Sequence, residues 1–379
     1  MTDPPGGRLL VVDDNRVNRM LLGRILELQG HSVAYAENGR QALDLLQAEP
    51  FDILLLDIEM PEMNGYQVLE RITADPSLRD LPVLVTSALE EIDSVVRCIE
   101  MGAEDYLIKP VNQVLLKARI GASLEKKRLR DAQRQLLSQL ERELEIARQT
   151  QQSILPETLP QRPGYDFGAL MVPARAVGGD FYEFIELGKG RLAIVIGDVS
   201  DKGLPAALFM ALTYSLIRAE AARTKPPRQV LANVNRYLLE MNASGMFVTL
   251  IYAVLDPASG RLDYARAGHP LPLLLDAGGA PIPVPVQTGQ VLGLFDEPLI
   301  DEQSVLLPPG GLALLYSDGL TEAADEGGGM FGLERLQAAC AAHQPQAAQD
   351  VCRQLLQDVQ SYSNQQPHQD DFTAVIIKR

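Results

Sequence analysis

A series of short, wholly apolar runs near the N terminus constrains the fold most, because each run is followed at once by a polar side chain. The runs at 9–12, 53–56 and 83–85 have strand length, and amphipathic stretches such as 17–28 and 41–47 separate them. Apolar strands that alternate with helices are typical of a parallel sheet covered on both faces. The sequence therefore predicts a doubly wound α/β domain with a five-stranded parallel sheet, whose ligands bind at the carboxyl ends of the strands.

Side chains with metal-binding and phosphate-binding chemistry follow these runs. Asp13 and Asp14 close the first run, Asp57 closes the third strand, Ser87 follows the fourth and Lys109 follows a fifth. We expect these residues to meet at one edge of the sheet. Three carboxylates so close repel one another unless a hard cation such as Mg²⁺ joins them. A lysine and a hydroxyl opposite the metal form an anion site, which suits a phosphoryl group carried on Asp57.

With the segment 57–65, these residues resemble the receiver domain of two-component response regulators over positions 8 to about 123. The resemblance implies that Asp57 accepts a phosphoryl group from a histidine kinase or phosphotransfer protein. It implies Mg²⁺ ligands and phosphate contacts as follows: Asp13, Asp14, Asp57 and the carbonyl of Glu59 for the metal, and Ser87 and Lys109 for the phosphate. Thr86 is the alternative inward hydroxyl. Tyr106 would be the rotating switch, and the Lys109–Pro110 bond would be cis.

The stretch 111–154, rich in Gln, Glu, Arg, Leu and Ala, contains no proline and only one glycine, Gly121. Its apolar residues recur at three-then-four spacing, with a phase shift near 136–137 and polar interruptions at Glu125 and Gln151, which is typical of a coiled coil. We expect this helix to pair with a second copy of the chain in a homodimer. Seven bases lie between Lys117 and Arg134. We interpret them as a solvated coiled-coil face rather than a nucleic-acid patch, because carboxylates and seam residues interrupt them.

The C-terminal part has a different texture after three prolines at 156, 160 and 163. Strand-like runs at 191–197, 247–255 and 312–316 and helical patterns at 205–223 and 332–342 predict an α+β layered fold, a β-sandwich flanked by helices. The predicted domains are a receiver domain at 1–123, a coiled-coil helical linker at 124–156 and a catalytic domain at 157–379.

Four acidic turns in this part, at 177–180, 196–199, 316–319 and 369–372, lie beside predicted strands. Glycines at three of them permit close approach of the backbone to a ligand. Because histidine and cysteine ligands are almost absent, the turns predict a hard-metal site built from carboxylates and water. Two such metals about 4 Å apart promote attack of water on phosphorus.

The order of these turns, with the motifs at 197–203, 267–270, 315–323 and 370–373, resembles the PPM family of metal-dependent protein phosphatases over about 145–379. The similarity is to the bacterial subfamily of the stage II sporulation phosphatase. It implies hydrolysis of phosphoserine or phosphothreonine and a site for two Mn²⁺ or Mg²⁺ ions. The implied ligands are Asp180, Asp198, Asp318, Asp370 and the carbonyl of Val199.

Several residues near this constellation have two possible roles. Many members of the subfamily have glycine where this chain has Asp201, whose carboxylate either recruits a third ion or is solvated at a helix start; we favour solvation. Asp371 lies beside the predicted ligands. Arg175 could hold the substrate phosphate or be a surface arginine. His269 is better suited to fixing a turn than to acting as an acid.

Charge and cysteine content exclude other classes of function. With 34 Lys and Arg against 50 Asp and Glu, the formal net charge is 34 − 50 = −16, which disfavours nucleic-acid or anionic-membrane binding. The three cysteines lack the spacing of a thiolate zinc site and suit a reducing compartment. No apolar run approaches the roughly 18 residues of a membrane span, and the first residues have no leader pattern. We expect a cytoplasmic protein.

The combined hypothesis is a response regulator in which phosphorylation of Asp57 controls a metal-dependent serine/threonine phosphatase. The subfamily resemblance implies that the substrate is a phosphorylated anti-sigma-factor antagonist in a partner-switching pathway. The alternative is a phosphorylation-gated adaptor that sequesters a partner without turnover. Because all four metal-binding aspartates are present, we favour catalysis.

Overall fold

The computed structural model describes residues 6–88, 92–223, 226–243, 245–364 and 370–379. Gln369, which begins the fourth predicted acidic turn, lies outside these ranges. The chain divides into two compact units, Met1–Leu140 and Glu141–Arg379. Within the described ranges, no helix combines the length and apolar character that a membrane span requires.

The first unit alternates strands and helices along the chain and contains the start of a longer helix. Its elements are β1 (Arg8–Val12), α1 (Arg16–Leu28), β2 (Ser32–Ala36), α2 (Gly39–Ala48), β3 (Ile53–Asp57), α3 (Gly65–Ala74), β4 (Val83–Ser87), α4 (Ile92–Glu100), β5 (Asp105–Ile108) and the first part of α5 (Gln113–Ile154). The strands are all parallel, in the order β2-β1-β3-β4-β5. Apolar side chains are buried on both faces of this sheet. The predicted doubly wound domain is confirmed.

Asparagine caps start three helices of this unit close to the carboxyl edge of the sheet. The Asn15 side chain accepts hydrogen bonds from the backbone N–H groups of Val17 and Asn18, at the start of α1. Asn38 caps α2 in the same way, and Asn64 forms a reciprocal capping box with Gln67 at the start of α3. Each cap contributes about 1 kcal/mol. The caps of α1 and α3 therefore hold the chain just after the acidic ends of β1 and β3.

The N-terminal part of α5 completes the core of the first unit. Leu116, Ile120 and Leu124 are buried against the sheet, whereas the seam residues Leu129 and Leu136 are exposed. The helix thus uses one face for the receiver core and leaves the predicted coiled-coil face open.

Most of the basic residues of α5 form ion pairs with carboxylates of the first unit, which the prediction of a solvated face did not include. The pairs are Arg119–Asp105 (2.5 Å), Lys126–Glu104 (3.5 Å), Lys127–Asp52 (3.2 Å), Arg130–Glu104 (3.0 Å) and Arg134–Asp80 (2.7 Å). The basic stretch therefore serves as a contact surface for the sheet domain, although exposed pairs of this kind add little stability individually.

The second unit contains two antiparallel sheets flanked by helices. Its elements after α5 are β6 (Asp166–Val172), β7 (Phe181–Glu186), β8 (Leu192–Val199), α6 (Leu204–Ala221), α7 (Pro227–Met241), β9 (Val248–Asp256), β10 (Arg261–Ala267), β11 (Leu273–Leu275), β12 (Asp301–Leu306), β13 (Leu312–Tyr316), α8 (Gly332–His343), α9 (Ala348–Tyr362) and β14 (Phe372–Lys378). The sheet orders are β12-β10-β9-β8-β7 and β11-β13-β14-β6.

Alternation along β8 shows how the layers pack. Ile194 and Ile196 face the second sheet, where they contact a core that includes Val375 of β14. Ala193 and Val195 face the other way, into the core formed with α6 and α7. The helices α8 and α9 cover the outer face of β13 and β14. This four-layer arrangement confirms the predicted α+β sandwich.

Candidate functional site

The carboxyl edge of the parallel sheet holds a tight acidic cluster. Asp13, Asp14 and Asp57 each offer an oxygen within 4.8 Å of the others, and no other such group of three acidic, histidine or cysteine side chains occurs in the part of the chain that the structure describes. Asp13 and Asp57 are buried, whereas Asp14 is exposed. Three carboxylate oxygens with one open side fit a hard divalent cation that keeps some water ligands.

Lys109 bridges two members of this cluster. Its Nζ donates to Asp13 Oδ2 at 2.7 Å and to Asp57 Oδ2 at 2.6 Å. Burial lowers the pKa of Lys109, but the hydrogen bonds to the two aspartates outweigh burial and leave the pKa raised. Burial is also the main cause that raises the pKa of Asp57. The ammonium group therefore stays charged beside the carboxylate that is predicted to accept a phosphoryl group.

The remaining receiver residues lie around this edge. The Lys109–Pro110 bond is cis, as predicted, and the Lys109 backbone N–H donates to the Ser87 carbonyl at 2.9 Å. Thr86 pairs with Asp57 across β3 and β4, and both hydroxyl residues, Thr86 and Ser87, are buried. Tyr106 is half-buried against the receiver core, and Glu59 is exposed. The metal and phosphate residues therefore lie at or just beyond the carboxyl ends of their strands, whereas Tyr106 is the second residue of β5 and pairs with Val85 inside β4.

In the second unit, strand register brings two of the predicted ligands together. Phe181 of β7 pairs with Gly197 of the antiparallel strand β8. Asp180, just before Phe181, therefore lies opposite Asp198, just after Gly197. Asp318 comes two residues after β13, and Asp370 comes two residues before β14, which pairs with β13. The two sheets of the sandwich therefore each contribute two acidic turns.

The charges of these aspartates act on one another. Burial, followed by the charge of Asp318, raises the pKa of Asp198 to about 7. Burial, followed by the charge of Glu322, raises the pKa of Asp318 to about 6, and Asp370 adds to the effect. Burial and the charge of Asp198 raise the pKa of Asp180 well above its usual range. Such shifts indicate carboxylates held together without enough positive charge.

A metal fits this second site on its donor chemistry. Asp180 is only 1 % exposed, and its Oδ2 atom has no hydrogen-bond partner. A buried carboxylate oxygen without a partner is costly, and a divalent cation would satisfy it. The four aspartates are not as tightly grouped as Asp13, Asp14 and Asp57, which is the one three-residue cluster found within 4.8 Å among the described residues. All four of these side chains offer carboxylate oxygens, the ligands that hard divalent cations prefer.

Asp371 organises the loop that carries Asp180. Its Oδ1 accepts from the backbone N–H of Ala174 at 2.8 Å, and its Oδ2 accepts from Gly179 at 2.7 Å and Asp180 at 3.2 Å. A Cβ on Gly178 would lie 2.2 Å from Asp371 Oδ2, so glycine is required for this approach. Asp371, predicted as an auxiliary residue, thus positions the loop across the two sheets.

Gly179 brings the same loop against the predicted carbonyl ligand. A Cβ on Gly179 would lie 2.7 Å from the Val199 carbonyl oxygen. The absence of a side chain therefore lets the backbone next to Asp180 approach the end of β8, where Asp198 and Val199 lie.

Ser317 ties the remaining two acidic turns together, a role that the sequence did not reveal. Its Oγ accepts from the Thr373 backbone N–H at 3.0 Å and donates to the Asp371 carbonyl at 3.3 Å. Its own N–H donates to the Thr373 carbonyl at 3.0 Å. A Cβ on Gly319 would lie 2.0 Å from that same Asp371 carbonyl oxygen. These bonds fix the turn that carries Asp318 against the segment that carries Asp370.

Other residues near the second site have distinct placements. Lys202, which the sequence did not single out, lies 3.0 Å from Asp370 Oδ2 through its Nζ. Asp201 is exposed and has a φ of 68°, a conformation that glycine adopts most easily and that aspartate tolerates better than most residues. This φ accounts for the glycine that the subfamily resemblance leads us to expect at the position. Arg175 is exposed.

His269 is a buried structural residue. Its Nδ1 lies 2.7 Å from Thr249 Oγ1, and Arg266 donates to its carbonyl. Burial lowers the pKa of His269 to about 3. The imidazole is therefore neutral near pH 7, and the imidazolium form that would act as a general acid is not populated. This agrees with the expectation that His269 fixes the turn at 267–270.

Comparison with known proteins matches each unit to a family. Residues 9–121 match the response regulator receiver domain, and residues 188–379, half of the chain, match the stage II sporulation protein E family. The phosphoserine phosphatase RsbU of Bacillus subtilis is 32% identical over 270 residues, covering 70% of this chain and 78% of RsbU. Protein IcfG of Synechocystis sp. is 31% identical over 264 residues, and the aligned region spans 62% of this chain but only 41% of IcfG.

A solved structure supports the fold of the second unit. The SiaA-PP2C domain of Pseudomonas aeruginosa aligns with a TM-score of 0.53 and 24% identity, over 64% of this chain and 98% of that domain. That likeness concerns the fold alone. Together with the family match over 188–379 and the extended similarity to RsbU, it places the second unit among the PPM-type proteins. The chain belongs to the stage II sporulation protein E family of metal-dependent PPM serine/threonine phosphatases and carries a response regulator receiver domain in its N-terminal part.

Proposed function

We propose that this protein is a response regulator in which phosphorylation of Asp57 controls the hydrolysis of phosphoserine or phosphothreonine in a partner protein. One observation carries the proposal. In a PPM-type sandwich, four buried or half-buried aspartates, Asp180, Asp198, Asp318 and Asp370, lie close together, where burial and neighbouring charges raise the pKa of the first three, and Asp180 Oδ2 has no hydrogen-bond partner. The receiver cluster supplies the input side, and its Lys109 bridges Asp13 and Asp57.

Asp180, Asp198, Asp318, Asp370 and the Val199 carbonyl would hold two Mn²⁺ or Mg²⁺ ions in the phosphatase unit. When bound, such ions supply Lewis acidity toward the phosphate and an activated water for attack on phosphorus. The protein contributes the geometry. Asp371 holds the loop before Asp180 through three backbone N–H groups, and correct placement of ligands by neighbouring groups governs metal affinity.

On the receiver side, Asp13, Asp14, Asp57 and the Glu59 carbonyl would hold one Mg²⁺. The Lys109 ammonium and a hydroxyl from Ser87 would stabilise the phosphoryl group on Asp57, with Tyr106 responding to the occupied state. The phosphoryl donor would be a histidine kinase or phosphotransfer protein.

In the phosphatase unit Arg175 would contact the substrate phosphate, since a guanidinium matches phosphate geometry. Asp201 would remain solvated. Three free, buried cysteines suit a cytoplasmic location.

The proposed substrate is a phosphorylated anti-sigma-factor antagonist, a small single-domain protein of a partner-switching pathway. Similarity to RsbU, which is named a phosphoserine phosphatase, supports phosphoserine as the group that is hydrolysed, and the choice of an antagonist protein follows from the resemblance to the subfamily. With Mn²⁺ present, the full chain should release phosphate from such a serine-phosphorylated protein much faster than from a tyrosine-phosphorylated control. Phosphate release is measured by a colorimetric assay and by the mobility of the substrate on phosphate-affinity gels. Tight binding of the phosphoprotein without any phosphate release would support the sequestering adaptor instead.

The exposed apolar residues of α5 support a homodimer formed through this helix. Leu129, Leu136, Leu137, Leu140 and Leu144 are all at least 44% exposed, and their spacing is that of a coiled-coil seam. A second copy of the chain would cover them.

Replacing both Leu137 and Leu144 with glutamate should convert the dimer into a monomer, because charged side chains at seam positions are desolvated on association. Light scattering coupled to size-exclusion chromatography gives the mass of each form. Glutamate at Gln135 and Gln152, which are exposed and lie outside the seam, should leave the mass unchanged. A monomeric wild-type chain in both phosphorylation states would rule out pairing through α5.

A further inference from the structure

The last turn of α5 contains one polar side chain that is buried among exposed neighbours. Gln151 is 5 % exposed, whereas Gln149, Thr150, Gln152 and Ser153 are all exposed. Its side-chain amide forms two hydrogen bonds with a single residue: Nε2 donates to the Gly178 carbonyl at 2.6 Å, and the Gly178 N–H donates to Oε1 at 3.1 Å. This reciprocal pairing satisfies the backbone N–H and the carbonyl of Gly178, so it fixes the position of that residue and the orientation of the peptide groups on either side of it.

Gly178 lies two residues before Asp180, the most buried of the aspartates predicted to bind metal in the phosphatase unit. Its loop is held from the other side by Asp371, which accepts from the backbone N–H of Gly179 and Asp180. The loop is therefore clamped between the end of α5 and the segment that precedes β14. Any displacement of Gln151 must break its two bonds to Gly178 or move the loop toward or away from Asp371.

The residues that follow Gln151 seat the same turn on the catalytic sheet. Ile154 and Leu155 pack against the core that contains Phe181, next to Asp180, and Val199, next to Asp198. An apolar residue at position 151 could provide packing of this kind. An amide that pairs with both backbone groups of Gly178 provides directional contact as well, and a buried amide needs such partners.

We propose that Gln151 is a positioning residue that couples α5 to the metal site by holding Gly178, and thereby the Asp180 carboxylate, in place. This inference rests on the proposed phosphatase function and adds the point at which α5 acts on the site. A shift or rotation of the last turn of α5 would carry the Gln151 amide with it. The loop would then lose its fixed orientation, and the carboxylate of Asp180 would lose its alignment with Asp198.

The test uses three variants of the full chain. Gln151→Leu removes both hydrogen bonds while keeping a similar volume. Gln151→Glu keeps an acceptor for the Gly178 N–H but loses the donor to the Gly178 carbonyl. Gln152→Leu changes the adjacent exposed glutamine and is the matched control. Mn²⁺ binding is followed by the electron paramagnetic resonance signal of free Mn²⁺. The Asp198→Ala chain, which lacks a predicted ligand of the phosphatase unit, gives the share of Mn²⁺ binding that is due to the receiver site. Hydrogen exchange reports on residues 174–180.

We expect Gln151→Leu and Gln151→Glu to weaken Mn²⁺ binding in the phosphatase unit by roughly tenfold or more, the effect of losing a group that orients a ligand. Exchange at 174–180 should be faster in both variants. Excess Mn²⁺ should restore most of the rate of aryl phosphate hydrolysis. Beryllofluoride should alter exchange at 174–180 in the wild-type chain and leave it unaltered in Gln151→Leu. Gln152→Leu should match the wild type in every measurement.

Unchanged Mn²⁺ affinity and exchange in both Gln151 variants would overturn the proposal, even if their melting temperatures fell, since that pattern describes a residue needed only for packing. A beryllofluoride response that persists in Gln151→Leu would overturn the coupling role. Because Mn²⁺ binding and exchange need no turnover, a wild-type chain inactive on every substrate would contradict the proposed function while leaving the role of Gln151 measurable.

Discussion

Replacing Asp198 with alanine should reduce hydrolysis of a chromogenic aryl phosphate by roughly 10³-fold, since Lewis-acid stabilisation by a bound metal contributes several kcal/mol and each 1.36 kcal/mol is a factor of ten in rate. Asp198 has a central place among the acidic turns. The charges of Asp318, Asp370 and Asp371 all act on its pKa, and it lies beside Asp180 where β7 and β8 meet. Removing it therefore affects both sheets' contributions to the site.

Initial rates at saturating Mn²⁺ measure the effect, and addition of a chelator to the wild-type chain should reproduce it. Asp296→Ala, which removes an exposed carboxylate from the same unit, should leave the rate unchanged. The Asp198→Ala chain should also retain a phosphorylated target in a pull-down, because binding no longer leads to turnover. An Asp198→Ala chain within tenfold of the wild-type rate would show that the acidic turns are not the catalytic centre.

Apolar patterning predicted the interior strands of the parallel sheet and missed strands such as β12 at the edge of the sandwich. Strands β1, β3 and β4 were recognisable because four or more consecutive positions are buried. Strand β12 was not, because half-buried and exposed positions alternate along it and its one buried position is Asp301, whose charge pairs with Arg266. A buried ion pair of this kind has no signature in hydrophobicity, and its partner lies 35 positions away.

In the candidate sites, too, local sequence identified some residues and missed the long-range contacts that support them. Aspartates that directly follow a strand or occur in a glycine-containing turn could be identified from local sequence. The bonds that support them could not, although Asp371 was predicted as an auxiliary residue, because Asp371 is 192 positions from Gly179 and Gln151 is 27 from Gly178. Such contacts depend on strand register and on the packing of α5, which local patterns do not encode. Two signals were present in the sequence, the acid at Asp371 beside a predicted ligand and the polar interruption of the seam at Gln151, and neither identified the partner.

The helix α5 shows a further limit of periodicity. Its three-then-four spacing predicted a coiled-coil seam with a phase shift near 136–137, but Leu116, Ile120 and Leu124 form a separate buried stripe that belongs to the receiver core. Apolar residues on two faces of one helix produce overlapping periods, and spacing alone does not assign each face to a partner.

Replacing Asp57 with asparagine should abolish phosphorylation by a small-molecule donor such as acetyl phosphate, because an amide lacks the nucleophilic carboxylate oxygen. Asp57 is buried beside Lys109, whose Nζ lies 2.6 Å from its Oδ2. The variant keeps the size of the side chain and can still occupy the space next to the lysine. Phosphate-affinity gels measure the phosphorylated fraction. Asp44→Asn, which alters an exposed carboxylate on α2, should be phosphorylated as the wild type is.

The same variant separates the receiver's input from the phosphatase's own activity. With Mg²⁺ present, beryllofluoride should change the wild-type phosphatase rate by about tenfold, the usual size of a coupling between two sites. In Asp57→Asn the rate should be the same with and without beryllofluoride, whatever the sign of the wild-type response. Equal rates in both conditions for the wild type, with beryllofluoride bound, would mean that the receiver does not act on the metal site. Because the bonds between Gln151 and Gly178 lie at the end of α5, a response that requires Asp57 and is lost in Gln151→Leu would assign the route of this coupling to that helix.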